Sequence, residues 1–183
     1  NQSQSCINFI KECEKDINNH LYNTNTNAKI YRGAVNNKGS KGITGTISNY
    51  CIYKSLNLNN VANQENIFSG YDTNIEQILN WNPDFIFVDC TNKQKVDSDI
   101  FQNKEIFEKI NAYKNNHIHY VAPFNYNGTN IEYGICEMYF TAKTLFPESF
   151  KDIDLNIKFN EIFNKIDGKE ILQELTEKGI YFD

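Results

Sequence analysis

The chain has 183 residues, enough for one ordinary domain or one domain with an appendage, and 40% of them are apolar. With many Phe and Tyr among them, that content fills a core and excludes wholesale disorder. A net charge of −5 and a pI near 5.3 exclude a nucleic-acid surface, which needs clustered Lys and Arg.

The first segment, Cys6 to Leu21, carries apolar positions at Cys6, Phe9, Ile10, Cys13, Ile17 and Leu21, a helical stripe with acids and lysines between them. Its opening, "NQSQSCINFIKECEKD", is too polar for a signal peptide, so an exported protein would carry its targeting segment outside this sequence. Nowhere does an apolar run approach the roughly 20 residues that span a bilayer. "YNTNTNA" ends the helix, because Asn and Thr side chains compete for backbone hydrogen bonds. "KIYRGAV" then reads as a short strand, "NNKGSKGITGT" as a Gly-rich loop, "ISNYCIYKSL" as a helix and "NVAN" as a weak turn or strand.

Thr73 to Trp81 predicts a short helix that stops because Pro83 disfavours helical backbone at Asn82. Thr73-x-x-Glu76 fits a capping box at its start. "DFIFVD" has the continuous apolar run of a strand buried on both faces, and "HIHYVAP" is a second such strand. Between them, Ile100 to Ala112 has helical spacing. A helix over Glu132 to Leu145 ends before Pro147, and the tail from Ile157 to Lys178 predicts two more, separated by "DGKE".

Strands alternating with helices predict a three-layer α/β fold, a mostly parallel sheet with helices on both faces, preceded by a long helix. The visible boundary near Asn23 to Asn27 divides the chain into a leading helix over 1–25 and an α/β body over 26–183. Ligands of such sheets meet the loops at the carboxyl ends of the strands, here Arg32 to Thr46, Asp89 to Lys95 and Pro123 to Asn130.

Motifs of catalysis are missing. "GSKGITG" lacks the G-x-G-x-x-G order, no P-loop Lys-Ser/Thr is present, and Ser40 in "KGSKG" lacks the order of a nucleophile elbow. The five cysteines (Cys6, Cys13, Cys51, Cys90, Cys136) show no zinc spacing and read as buried free thiols. His117 and His119 share one strand face, which suits a strand-entry pair facing solvent or an amphipathic layer better than a metal site lacking further ligands. The strand-end loops instead supply Arg32, Asn49, Tyr50, Phe124, Asn125, Tyr126 and Asn127. Aromatic surface, amides and one guanidinium suit a flat, polar, anionic small molecule. Arg32, the single arginine, fits a ligand contact and an internal salt bridge equally well.

Two blocks, "NIEQILNWNPDFIFVD" and "NNHIHYVAPFNYNGTNIEYGICEMYFTAKTLFPESFKDIDL", resemble the C-terminal lobe of substrate-binding proteins of the iron-siderophore, haem and cobalamin ABC importers. The resemblance runs from about Lys29 to Gly168. It implies two α/β lobes joined by one long helix, with Gln2 to Tyr22 the end of that helix and the N-terminal lobe missing from this sequence. It implies a non-catalytic, non-enzymatic binding module without an intrinsic cofactor. Its transported ligand would be an iron complex, with Tyr126 suited to haem and Arg32 with Tyr50 to a ferric siderophore. The implied setting is the outer face of a cell membrane, as a lipoprotein, or a periplasm. Heavy use of Asn, Lys and Ile leans towards an AT-rich, Gram-positive source. Glu76 falls on the acid that docks this lobe onto arginines of the dimeric permease, with the cap as a compatible resting state. A complete small cytoplasmic α/β enzyme or regulator using the same loops is the alternative.

Overall fold

The computed structural model describes residues 2–36, 39–67, 69–125 and 128–183. Its elements run α1 (Gln2–His20), β1 (Lys29–Gly33), β2 (Gly45–Ile47), α2 (Cys51–Ser55), β3 (Asn59–Asn60), β4 (Gly70–Asp72), α3 (Ile75–Trp81) and β5 (Phe85–Asp89). A 3-10 turn at Cys90–Asn92 leads into α4 (Lys93–Gln102), α5 (Lys104–Phe107), α6 (Asn111–Lys114), β6 (Ile118–Val121), α7 (Ile131–Leu145), α8 (Leu155–Asp167) and α9 (Leu172–Glu177).

The main sheet is parallel throughout, in the order β3-β1-β5-β6, and β2 pairs antiparallel with β4 beside it. Because strand side chains alternate between faces, β1 and β5 divide the interior in two. Ile30 and Phe87 join α1, α2, α7 and α8 around Phe9, Ile17, Tyr139 and Phe163. Tyr31, Ile86 and Val88 face the other way, onto Ile78, Val96, Phe107 and Ile110 from α3 to α5 and the turn before α6. This is the expected α/β layering, and the near-continuous burial of β1 and β5 follows from covering both faces.

The apolar stripe of α1 buries Phe9, Cys13 and Ile17. Polar contacts fasten the same helix to the body. The Tyr139 hydroxyl donates to Asp16 at 2.6 Å, and His20 stacks on Phe150 with ring centroids 4.8 Å apart. The His20 ring also lies 2.8 Å from the Asp16 carbonyl and 3.3 Å from the Asp152 carboxylate.

Three local expectations change. The helix over 100–112 is interrupted: α4 ends at Gln102, where the Asn103 amide donates to the Asp99 carbonyl at 2.8 Å and satisfies a helix-end acceptor. The strand at "HIHYV" is half-buried except at Val121, because β6 lies at the end of the parallel array. There Tyr120 exchanges backbone hydrogen bonds of 2.9 Å with Asp183. His117 and His119 lie on one face as expected and stack on Phe85 and Phe87, with centroids 4.3 and 5.3 Å apart.

The third change is at α3. Its N-cap is Asn74, not Thr73: the Asn74 side chain accepts from the Gln77 N–H at 2.7 Å. Asn is the stronger capping residue, and the shift of one position leaves Glu76 second in the helix, exposed and outside a capping box. The far end behaves as expected. Asn82 takes the left-handed conformation (φ 45°) before Pro83, and its amide bonds to the Ile78 carbonyl. Replacing Asn74 with Ala is expected to cost about 1 kcal/mol in urea unfolding, and Thr73→Ala much less. The reverse order of losses would put the cap back at Thr73.

Candidate functional site

Strands β1, β5 and β6 all end on one edge of the sheet, so the segments after them form one surface. Two of these segments are bound together. The Asn92 amide donates to the Ala34 carbonyl at 2.8 Å and to Asn36 Oδ1 at 2.9 Å, and its own oxygen accepts from the Ser40 hydroxyl. From α4, Asp99 accepts the Ile43 N–H at 2.8 Å, and Lys95 Nζ donates to the Ser40 carbonyl at 2.9 Å. Gly42 sits close against this contact: a Cβ there would lie 2.0 Å from the Asp99 carboxylate, which would have to move aside. The loop after β6 is held differently, by the Phe124 ring lying 2.8 Å from where a Cβ on Gly134 would sit.

Beneath this edge lies a buried ion cluster. Arg32 Nη2 donates to Asp89, and Arg32 Nε lies 3.2 Å from Glu137 Oε1 without the alignment of a hydrogen bond. Nη1 donates to the Gly33 carbonyl at 3.1 Å, and the guanidinium carbon sits 5.4 Å from the centre of the Tyr50 ring. The Tyr50 hydroxyl donates to Glu137 Oε2 at 2.7 Å. Arg32, Asp89 and Glu137 are each at most 3% exposed. Two carboxylates against one cation would leave a net negative charge out of water, which is costly, so one acid is driven towards its neutral form. Burial pushes Glu137 up to about 7 against the pull of Arg32, and it raises Asp89 too. The same two acids hold the Arg32 guanidinium charged despite its burial.

The residues expected to meet a ligand are therefore placed unevenly. Arg32 is turned inward and occupied by its ion pairs, the internal role of the two it could take. Tyr50 is buried with its hydroxyl on Glu137, and its ring stands edge-on to Phe124 at 6.5 Å. Asn49 is exposed and lines a groove of about 460 Å³ with Asn63, Gln64, Glu65 and Asn66. Its left-handed backbone (φ 54°) is fixed by its N–H on Asn63 Oδ1 at 2.8 Å and its side-chain amide on the Ile67 carbonyl at 2.9 Å. Phe124 is half-buried and Asn125 exposed at the rim, bridged to Thr129. Tyr126 and Asn127 lie outside the described residues. A larger groove, about 770 Å³, opens after β5 between Ser40, the 90–95 segment and Tyr181. Among the described residues, no group of three or more His, Cys, Asp or Glu could hold a metal ion.

A profile described as "Periplasmic binding protein" matches residues 1–124. The chain belongs to the periplasmic binding protein family. Solved structures agree with that membership at the level of the fold. An ABC transporter solute-binding protein from Sulfurospirillum deleyianum superposes with a TM-score of 0.72 at 14% identity, over 97% of this chain and 55% of that one. The molybdate periplasmic binding protein MolA of Haemophilus influenzae gives 0.68 at 19% identity, over 91% and 51%. CeuE of Helicobacter pylori with Ni(II) bound gives 0.67 at 16%, over 90% and 52%. This periplasmic-binding-protein chain thus spans about half the length of the structures it resembles. No curated protein matches it.

Sequence reading missed Asp89, Asn92, Asp99 and Glu137. A signal existed for two of them: Glu137 interrupts the apolar run "YGICEMYF", and Asp89 ends "FIFVD", in a chain with one arginine to pair with either. The raised Glu137 gives a pH test. The folded protein keeps a proton that the unfolded chain releases above its ordinary value of 4.5, so stability falls as pH rises from there through about 7. Thermal melts across that window should show the midpoint falling with pH, and falling less in Glu137→Gln. The same slope in both proteins would exclude Glu137 as the proton carrier.

Proposed function

We propose that this chain is the C-terminal lobe of the solute-binding component of an ABC importer. In this reading residues 1–25 are the end of the interlobe helix, and 26–183 form the lobe. The observation that carries it is the combination of family membership with a superposition over nearly the whole chain but only half of each solved relative. One α/β lobe with its strand-carboxyl edge lined by grooves is what half of a two-lobed receptor would present, and a companion lobe would close over that edge. The proposed role is to hold a solute, with no catalysis of its own, at the outer face of a cell membrane or in a periplasm.

The solute we propose is an iron complex, such as a ferric siderophore, haem or cobalamin. The two sequence blocks around α3–β5 and β6–α8 support it; of the relatives named above, MolA was solved bound to molybdate and CeuE with Ni(II) bound. Titrating the full-length protein with ferric siderophores, haem and cobalamin should quench its tryptophan fluorescence with at least one of them. Silence towards all three would remove the iron-complex assignment.

Glu76 is the proposed contact to the permease. It is exposed in the first turn of α3, outside any capping box, on an element whose start is tied to the strand-carboxyl side by the Thr73 N–H on the Thr44 carbonyl at 2.9 Å. A first-turn acid there needs no internal partner and leaves its carboxylate for an arginine of the permease dimer. Glu76→Lys should abolish uptake in cells while leaving solute binding by the purified protein unchanged. Intact uptake would remove the docking role.

A further inference from the structure

With its guanidinium enclosed by Asp89 and Glu137, Arg32 leaves lysines to supply positive charge on this edge. Three of them line the 770 Å³ groove after β5: Lys93 and Lys95 from α4 and Lys178 from the end of α9, with Asp97 the one acid among the lining residues. Hydroxyls of Ser40, Thr91 and Tyr181 line the same space, with the Asn92 and Gln94 amides. No cluster of this kind exists at the amide groove beside Asn49, whose one charged lining residue is Glu65.

The lysines differ in how firmly they are held. Lys93 pairs with Asp97 at 2.9 Å and lies 4.4 Å from the centre of the Tyr120 ring, with both side chains of the pair about half exposed (47% and 51%). Lys178 pairs with Glu174 one turn away, also in the open. Exposed pairs of this kind contribute little to stability, so an incoming anion displaces or joins them at small cost. Lys95 donates to a backbone carbonyl, that of Ser40, which neutralises no charge. It therefore keeps a full positive charge at the mouth of a groove in an otherwise acidic chain. The first turn of α4 contains no acid, so its partial positive charge adds to theirs.

We infer that the groove formed by Ser40, the 90–95 segment and Lys178 to Tyr181 takes the negatively charged oxygens of the solute, through Lys93, Lys95 and Lys178 and not through Arg32. The selected class is a multiply charged, oxygen-rich anion, either an anionic metal chelate or a bare oxyanion. This inference rests on the solute-binding reading above and adds the charge of the solute to it.

Amide NMR spectra of the protein distinguish the cases. The probes are trianionic gallium(III) tris-catecholate, dianionic molybdate and the neutral gallium(III) complex of acetohydroxamate, each at up to millimolar concentration. Shifts at 90–95 and 178–181 with tris-catecholate but not molybdate identify a chelate site, and the reverse identifies an oxyanion site; either supports the inference. In the supporting case, NaCl weakens binding through screening, and Lys93→Gln/Lys178→Gln weakens it by about tenfold or more. That pair of substitutions leaves the Lys95–Ser40 anchor intact, so a loss reports on charge and not on the loop. Lys95→Gln, with an otherwise unchanged spectrum, should weaken binding further. If the neutral complex shifts the strand-edge loops as strongly as the anions do, the solute-binding reading stands and the anion class falls. If all three probes leave every strand-edge loop unmoved, both fall together.

Discussion

The junction of β1, β5, α7 and the start of α2 is organised around one guanidinium. Arg32, the last but one residue of β1, takes Asp89 from β5 on one side, Glu137 from α7 on another and the ring of Tyr50 before α2 on a third. A charge so placed cannot be left alone: removing one partner of a buried pair costs about 3–5 kcal/mol, because the other stays uncompensated. The cluster therefore constrains four elements at once. Apolar packing of Phe87, Tyr53 and Phe140 around it would tolerate slippage far better than a polar network that has to be satisfied.

The same cluster prepares the edge above it. Asp89, the acid that bonds Arg32, also accepts the Asn36 N–H at 3.4 Å, so the internal pair and the loop after β1 share a carboxylate. Three residues later Asn92 bonds the same loop, and Asp99 holds its far end at Ile43. Ala34, Asn36, Ser40 and Ile43 are thereby bound to α4 and the turn before it, beside the groove. Rigid walls favour ligand binding because less conformational freedom is lost on association.

How much of this was legible depends on the kind of information each residue carries. The apolar runs of β1 and β5, the stripe of α1 and the breaks at Pro83 and Pro147 are local patterns, and the fold class followed from them. Boundaries set by side-chain capping were less secure. Asn74 displaced Thr73 as the N-cap, and Asn103 divided a helix whose spacing looked continuous, because in both cases an amide offered the backbone a competing bond. At the candidate site, Asn49 and Asn125 are exposed on the strand-carboxyl edge, whereas Arg32 and Tyr50 lie inside it. Nothing local separates an arginine that faces solvent from one that faces two buried acids, 57 and 105 residues further along the chain.

By itself the sequence determined the periodicities, and through them the α/β layering, the edge on which the strands end and the position of Glu76 in the first turn of a helix. Family resemblance was equally readable, since it resides in contiguous blocks. Tertiary structure alone decided which charges are internal and which face the groove. Arg32, Asp89 and Glu137 meet only after β1, β5 and α7 have packed, and their enclosure leaves Lys93, Lys95 and Lys178 as the cations of the β5 groove. The physical reason is that charge pairing is a long-range property of the folded chain, whereas secondary structure is governed by neighbours a few residues apart.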